Sequence, residues 1–337
     1  MISPNNAPAI KTHKSSNMFV GFLEGCLEFV KENLGILIGF LILCIILSFI
    51  SPVFLTQKNL LNVLRQTSTN LYLACAMTMI IILGGIDLSV GSVIALSGVV
   101  TGGLIAFNNF PVPAAIIFGL LSGLLVGAFN GMIVAKTTIP PFIVTLATMN
   151  IARGAAYLYT GGQPIRVMSD NFNFIGAGYV GQIPTPIIYL VIILIICALI
   201  MNKSRLGRHI YAVGGNRQAA KFSGIKINRV LFFAYTFSGF LASIAGIVLA
   251  SRMFSGQPTA GDGAEMDAIA AVVLGGTSMS GGIGKIGGTV IGGLVIGVLN
   301  NGLNLMNVNS FWQYIVKGVV ILIAVYVDYI KKQKSKI

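Results

Sequence analysis

Apolar runs of helical length recur along the chain, at 34–50, 71–83, 88–107, 114–135, 142–159, 186–201, 230–250, 268–280, 288–303 and 312–328. A bilayer core about 30 Å thick takes roughly 20 apolar helical residues to cross, so these runs predict about ten transmembrane helices, two of them short. Pro52, Pro111, Pro113, Pro140, Pro141, Pro184, Pro186 and Pro258 stand at or beside the breaks, where a helix loses an N–H at little cost. Ahead of the first run, Phe19, Phe22, Leu23, Cys26, Leu27 and Val30 share one helical face, while Glu24, Glu28, Lys31 and Glu32 take the other. That pattern predicts an amphipathic helix on the inner membrane surface, after a polar, disordered tail over 1–17. A signal peptide fits poorly: acidic residues precede the first run and no small-residue cleavage site follows it.

Composition agrees with lipid. The 337 residues are 55% hydrophobic and 9% charged, against about 25% charged in a soluble domain. The net charge of +13 would suggest nucleic acid in a soluble protein, but its placement argues for a membrane. Seven basic residues and no acidic one lie from Lys203 to Arg229, and four lysines close the chain from Lys331 to Lys336. Basic clusters beside apolar spans mark the cytoplasmic side, so both stretches and both termini are predicted inside. An odd number of spans could not satisfy that. No nucleic-acid recognition fold is present. Cys26, Cys44, Cys75 and Cys197 are isolated, without disulfide or metal spacing, and His13 and His209 have no ligand neighbours.

The two short runs end in similar glycine-broken sequences, Leu-Gly-Gly-Ile-Asp-Leu-Ser-Val-Gly at 83–91 and Leu-Gly-Gly-Thr-Ser-Met-Ser-Gly-Gly at 274–282. Broken helices at membrane depth need protein or a water-filled cavity to satisfy the freed backbone, and they point to a transport path. A longer match sets Gly-Leu-Leu-Val-Gly-Ala-Phe-Asn at 123–130 against Gly-Leu-Val-Ile-Gly-Val-Leu-Asn at 293–300. These are the fourth and ninth runs, which cross in opposite directions, as an inverted repeat requires. The fold class read from the sequence is therefore an all-α polytopic membrane protein, with about ten transmembrane helices, an inverted repeat and broken helices.

No Gly-x-x-x-x-Gly-Lys-Ser/Thr sequence is present, so the chain cannot hydrolyse ATP by that route. The Gly-x-Gly-x-x-Gly at 282–287 lacks a surrounding βαβ unit and reads as a tight turn. In the basic loop over 202–229, Asn216 suits an N-cap and Gly224 the residue after a C-cap, bracketing a two-turn helix. Small Ala219 and Ala220 admit close approach, and Arg217 and Lys221 suit acidic partners. By capping alone, an ordinary basic loop is the simpler reading.

The segments 207–225, 84–91 and 267–278, in that order, are similar to the ribose/simple-sugar branch of bacterial ATP-binding-cassette importer permeases. Segments 300–305 and 317–328 resemble its ribose members. The resemblance runs from about Leu34 to Asp328 and leaves the first 33 residues outside it. It divides the chain into a cytoplasmic tail and interfacial helix (1–33), a transmembrane permease domain (34–328) and a basic cytoplasmic tail (329–337). It implies a multi-pass protein of the bacterial inner membrane that is a transport subunit and no enzyme, carrying ribose or a similar simple sugar. It implies a second permease copy in a homodimer, a cytoplasmic ATP-binding subunit holding ATP and Mg, and a periplasmic sugar-binding protein, with no cofactor in this chain and membrane lipid around it. It also makes Gly215, Asn216, Arg217, Ala219, Ala220, Lys221, Ser223 and Gly224 the coupling helix that meets the ATP-binding subunit.

Polar residues in the apolar runs are few. Asp87 is either an N-cap for the N–H groups of Ser89 or Val90 or a sugar contact, the first being the commoner role. Asn130, Asn300, Asn301 and Asn304 suit sugar hydroxyls, which need paired donors and acceptors, but bonding between helices is commoner. Asp87, Ser89 and these asparagines are the candidate translocation path. Asp262, Glu265 and Asp267 are the candidate contact for the sugar-binding protein. The alternative, an ion-coupled secondary sugar transporter, would need ionisable residues at the bilayer midplane, and only Asp87 and Asp267 come near.

Overall fold

The computed structural model describes residues 30, 31 and 33–334. The polar tail over 1–17, most of the expected amphipathic helix and Lys336 lie outside the described residues. Thirteen helices form among the described residues: α1 (Leu34–Ile50), α2 (Gln57–Ile82), α3 (Val90–Ala106), α4 (Val112–Lys136), α5 (Pro141–Thr160), α6 (Asp170–Ala177), α7 (Thr185–Lys203), α8 (Arg205–Gly215), α9 (Arg217–Phe222), α10 (Ile227–Arg252), α11 (Ala264–Leu274), α12 (Ile286–Leu305) and α13 (Ser310–Lys334). Four two-residue strands complete them: β1 (Ile165–Arg166) pairs with β4 (Ser255–Gly256), and β2 (Tyr179–Val180) with β3 (Ile183–Pro184). The chain is a mostly helical, multi-pass membrane protein. Helices α4, α7, α10 and α12 are long and apolar enough by themselves to cross a bilayer.

Each apolar run falls on a helix, but two boundaries differ. Helix α2 starts at Gln57, fourteen residues before the predicted 71. Its polar first half is helical because Thr56 caps it, the hydroxyl accepting the Asn59 N–H at 3.3 Å, and because its polar side chains find buried partners. Asn59 and Asn301 exchange amide hydrogen bonds of 3.0 and 2.9 Å between α2 and α12. Helix α11 runs 264–274 instead of 268–280. Helices α6 and α8 were not predicted as separate elements.

Both glycine breaks end their helices in the same way. After α2, Gly84 adopts φ +78°, and the Gly84 and Gly85 N–H groups bond back to Ile81 and Ile80. After α11, Gly276 adopts φ +83°, with Gly276 and Thr277 bonding back to Val273 and Val272. A left-handed glycine with this pair of reverse bonds closes the orphan carbonyls of a helix end.

The packing has a matching pattern in the two halves. Helix α4 lies on α10 and α3 on both α10 and α5, while α12 lies on α2 and α11 on both α2 and α13. Each half thus packs on the long helix of the other. The glycine stripes make this approach possible: a β-carbon on Gly127 would collide with the Tyr235 carbonyl, and one on Gly297 with the Thr67 hydroxyl. The largest buried cluster centres on α2, α10 and α11. One end of the bundle carries α6 and the short strands, and the other carries α8 and α9.

Candidate functional site

Two regions carry polar chemistry. The first is a cavity of about 230 Å³ near the α6 end, walled by α2, α3, α10, α11 and α12. Helix α2 supplies Gln66, Thr67, Thr69 and Asn70, α10 supplies Arg252, and α11 and α12 supply Asp267 and Asn300. The Asp267 Oδ2 atom accepts from Lys317 Nζ at 3.0 Å, Asn300 Nδ2 at 3.3 Å and Asn70 Nδ2 at 3.5 Å. Asp267 Oδ1, Asn300 Oδ1, Thr67 Oγ1 and Arg252 Nη1 are buried and have no hydrogen-bond partner. Leaving a buried polar atom unpaired costs about 1–3 kcal/mol, so four such atoms around one cavity mark a place built to hold a polar guest. Two acceptors, a charged donor and a hydroxyl that does either are the set a polyhydroxylated molecule needs.

The second region is the α8–α9 hairpin at the opposite end. The Asn216 side chain accepts the Gln218 and Ala219 N–H groups at 3.0 and 2.9 Å. At the other end of α9, Gly224 (φ +79°) and Ile225 bond back to Lys221 and Ala220. Sequence reasoning located both caps. It misplaced Ala220, which is 4% exposed with its small side chain turned into the fold, whereas Ala219 is exposed. Phe222, absent from the predicted contact set, is 89% exposed. Helix α8 carries the hairpin onto the glycine breaks: Gly214 abuts the Ile82 carbonyl, which accepts the Gly282 N–H at 2.8 Å. Tyr211 donates to the Gly284 carbonyl at 2.8 Å, and burial pushes its phenol above the ordinary range, which keeps that donor protonated.

Comparison with known proteins fits such a molecule. The family described as branched-chain amino acid transport system / permease component matches residues 59–325. The chain belongs to this permease family. It is 50% identical to the ribose import permease protein of Bacillus subtilis (strain 168), over 89% of this chain and 93% of that one. It is 47% identical to the ribose import permease protein of Escherichia coli (strain K12), over 87% and 92% of the two chains. The xylose transport system permease protein of the same strain is 35% identical, over 84% and 87%. No solved structure matches the chain.

Within the permease, the six predicted path residues separate. Asn300 lines the cavity. Asp87, Ser89 and Asn130 instead form a buried cluster away from it: Asp87 accepts the Ser89 N–H and hydroxyl at 3.0 and 2.6 Å and the Ser238 hydroxyl at 2.8 Å. The bond to the Ser89 N–H is the local capping expected of Asp87. Asn301 is held by Asn59, and Asn304 accepts from Gln313 at 2.9 Å, so both join helices. Of the three acids expected to face an outside partner, only Asp262 is exposed. Helix α11 starts at Ala264, so its first turn carries Glu265 and Asp267 inward. Thr67, Asn70 and Arg252 were missed. The first two lie in the segment too polar to read as a span, and Arg252 closes a span as an ordinary flanking charge would.

Proposed function

We propose that this permease is the membrane-spanning subunit of an ATP-binding-cassette importer that carries ribose or a closely similar simple sugar into the cytoplasm. The cavity carries the reading. Its unpaired acceptors and donors, Asp267, Asn300, Thr67 and Arg252, match neutral hydroxyls, and the relatives named for ribose cover nearly the whole chain. The chain is a transport component and not an enzyme. Its partners in this reading are a cytoplasmic ATP-binding subunit, where ATP and Mg act, and a periplasmic sugar-binding protein.

The α6 end faces the periplasm and the α8–α9 end the cytoplasm, with ten spans and both termini inside. The exchanged packing of α2 and α10 supports an inverted repeat of spans two to five with seven to ten. Two copies form the transporter. The coupling helix is α9, and its outward face consists of Arg217, Ala219, Lys221 and Ser223 together with Phe222. Purified permease in liposomes should move no ribose until both partner proteins and ATP are supplied. Uptake by the permease alone, driven by a proton or sodium gradient, would assign it to the ion-coupled carriers instead.

A further inference from the structure

The two buried acids of the permease sit in matching frameworks. Asp267 of α11 is bonded to Asn70 of α2, Asn300 of α12 and Lys317 of α13. Asp87, at the start of α3, is bonded to Ser238 of α10, and through Ser89 to Asn130 of α4, whose carbonyl accepts from Thr148 of α5 at 2.8 Å. Ser238 follows Asn70 by 168 residues, Asn300 follows Asn130 by 170, and Lys317 follows Thr148 by 169. The same three helix positions of each half therefore surround an acid. The halves differ in state. The outer framework opens on a cavity with unpaired Asp267 and Asn300 oxygens, while the inner one is shut and both Asp87 oxygens are occupied. Asp87 is 1% exposed. Beside it the Tyr235 hydroxyl is buried, unpartnered and turned to the Gly84–Gly85 turn, where a β-carbon on Gly85 would strike it.

We propose that the Asp87, Ser238 and Asn130 framework is a second polyol-binding station, which opens toward the cytoplasm when the outer cavity closes. An inverted repeat carries two alternative conformations of one motif, and exchanging them between halves turns an outward cavity into an inward one. Opening parts Ser238 and Asn130 from the Asp87 carboxylate. It leaves a carboxylate, an amide and two hydroxyls, those of Ser238 and Tyr235, for a neutral sugar. The inner station rests on the cavity being the sugar path. Gly214 of α8, seated on Ile82 and Gly282, places the coupling hairpin against both loops that would have to move.

The test uses the complete importer in proteoliposomes, with binding protein and ribose in the lumen and the ATP-binding subunit outside. Ser238→Cys is probed with a small water-soluble thiol reagent added outside, and the unsubstituted chain corrects for native cysteines. Shut-state populations shift from minor to major on switching, so ATP should accelerate labelling at least about tenfold, and external ribose should slow it again. A Ser238→Cys importer that carries ribose yet reacts at one rate with and without ATP overturns the inner station. Asn130→Cys takes the place of Ser238→Cys if that variant does not assemble, with the same two outcomes. Thr67→Cys, labelled from the lumen, reports the outer cavity separately. If ribose leaves its labelling rate unchanged, the path reading fails and the inner station with it.

Discussion

Phe222 gives the sharpest handle on the coupling hairpin. It sits at the end of α9, 89% exposed, in a loop otherwise basic and polar. An exposed phenyl ring contributes almost nothing to the permease's own fold, so Phe222→Ala should leave expression, insertion and thermal stability unchanged. Burying a Phe side chain in a partner's groove stabilises a complex by about 1.5–3 kcal/mol. At about 1.4 kcal/mol per tenfold, its loss should weaken binding of the ATP-binding subunit roughly 10- to 100-fold. Binding is measured on nanodisc-held permease titrated with labelled subunit, beside sugar-stimulated ATP hydrolysis. Phe49, 88% exposed on α1, is the matched control, and Phe49→Ala should change neither. If Phe222→Ala binds the subunit within twofold of the parent, α9 is not seated in that groove. Ala220, by contrast, is a poor probe, because a large side chain there would overpack the hairpin itself.

Asn59→Ala and Asn301→Ala should each lower the stability of the detergent-held permease by about 1–3 kcal/mol, because each leaves one buried amide without its partner. In thermal denaturation the double variant should cost less than the two losses added; full additivity would mean the pair is not coupled. Tags at Gly181, between β2 and β3, and at Gly224 should report opposite sides of the membrane, with Ser335 on the Gly224 side. Finding Gly181 and Ser335 on one side would remove the ten-span topology.

The sequence carried the helices well where hydropathy alone decides them. Helices α1, α4, α7, α10 and α12 lie within a few residues of the apolar runs, because lipid demands apolar side chains along a whole span. The two glycine breaks were legible for a local reason: a helix followed by Gly-Gly has few ways to end. Hydropathy failed on α2, and it failed where the permease does its chemistry. Residues 57–70 hold Gln66, Thr67 and Asn70, which no lipid-facing helix would carry, so the run seemed to begin at Leu71. Those side chains instead face a cavity and the buried amide of Asn301, which a composition window cannot see.

The division among the asparagines follows the same logic. Asn130 and Asn300 occupy matching places in the repeat, and sequence gives them one role. Their neighbours give them two. Asn130 has Thr148 and Ser89 on either side and both ends of its amide are bonded, so it holds α3, α4 and α5 together in this conformation. Asn300 meets Asp267 with its Nδ2 only, and its oxygen is left facing the cavity. Lys317 stands where Thr148 stands in the other half, and it neutralises the acid that Asp87 must balance with serine hydroxyls. A charge-balanced acid tolerates a wet, open cavity, while an acid held only by hydroxyls favours a shut one. The asymmetry of two aligned residues, Thr148 and Lys317, is thus enough to set which half of the repeat is open at rest.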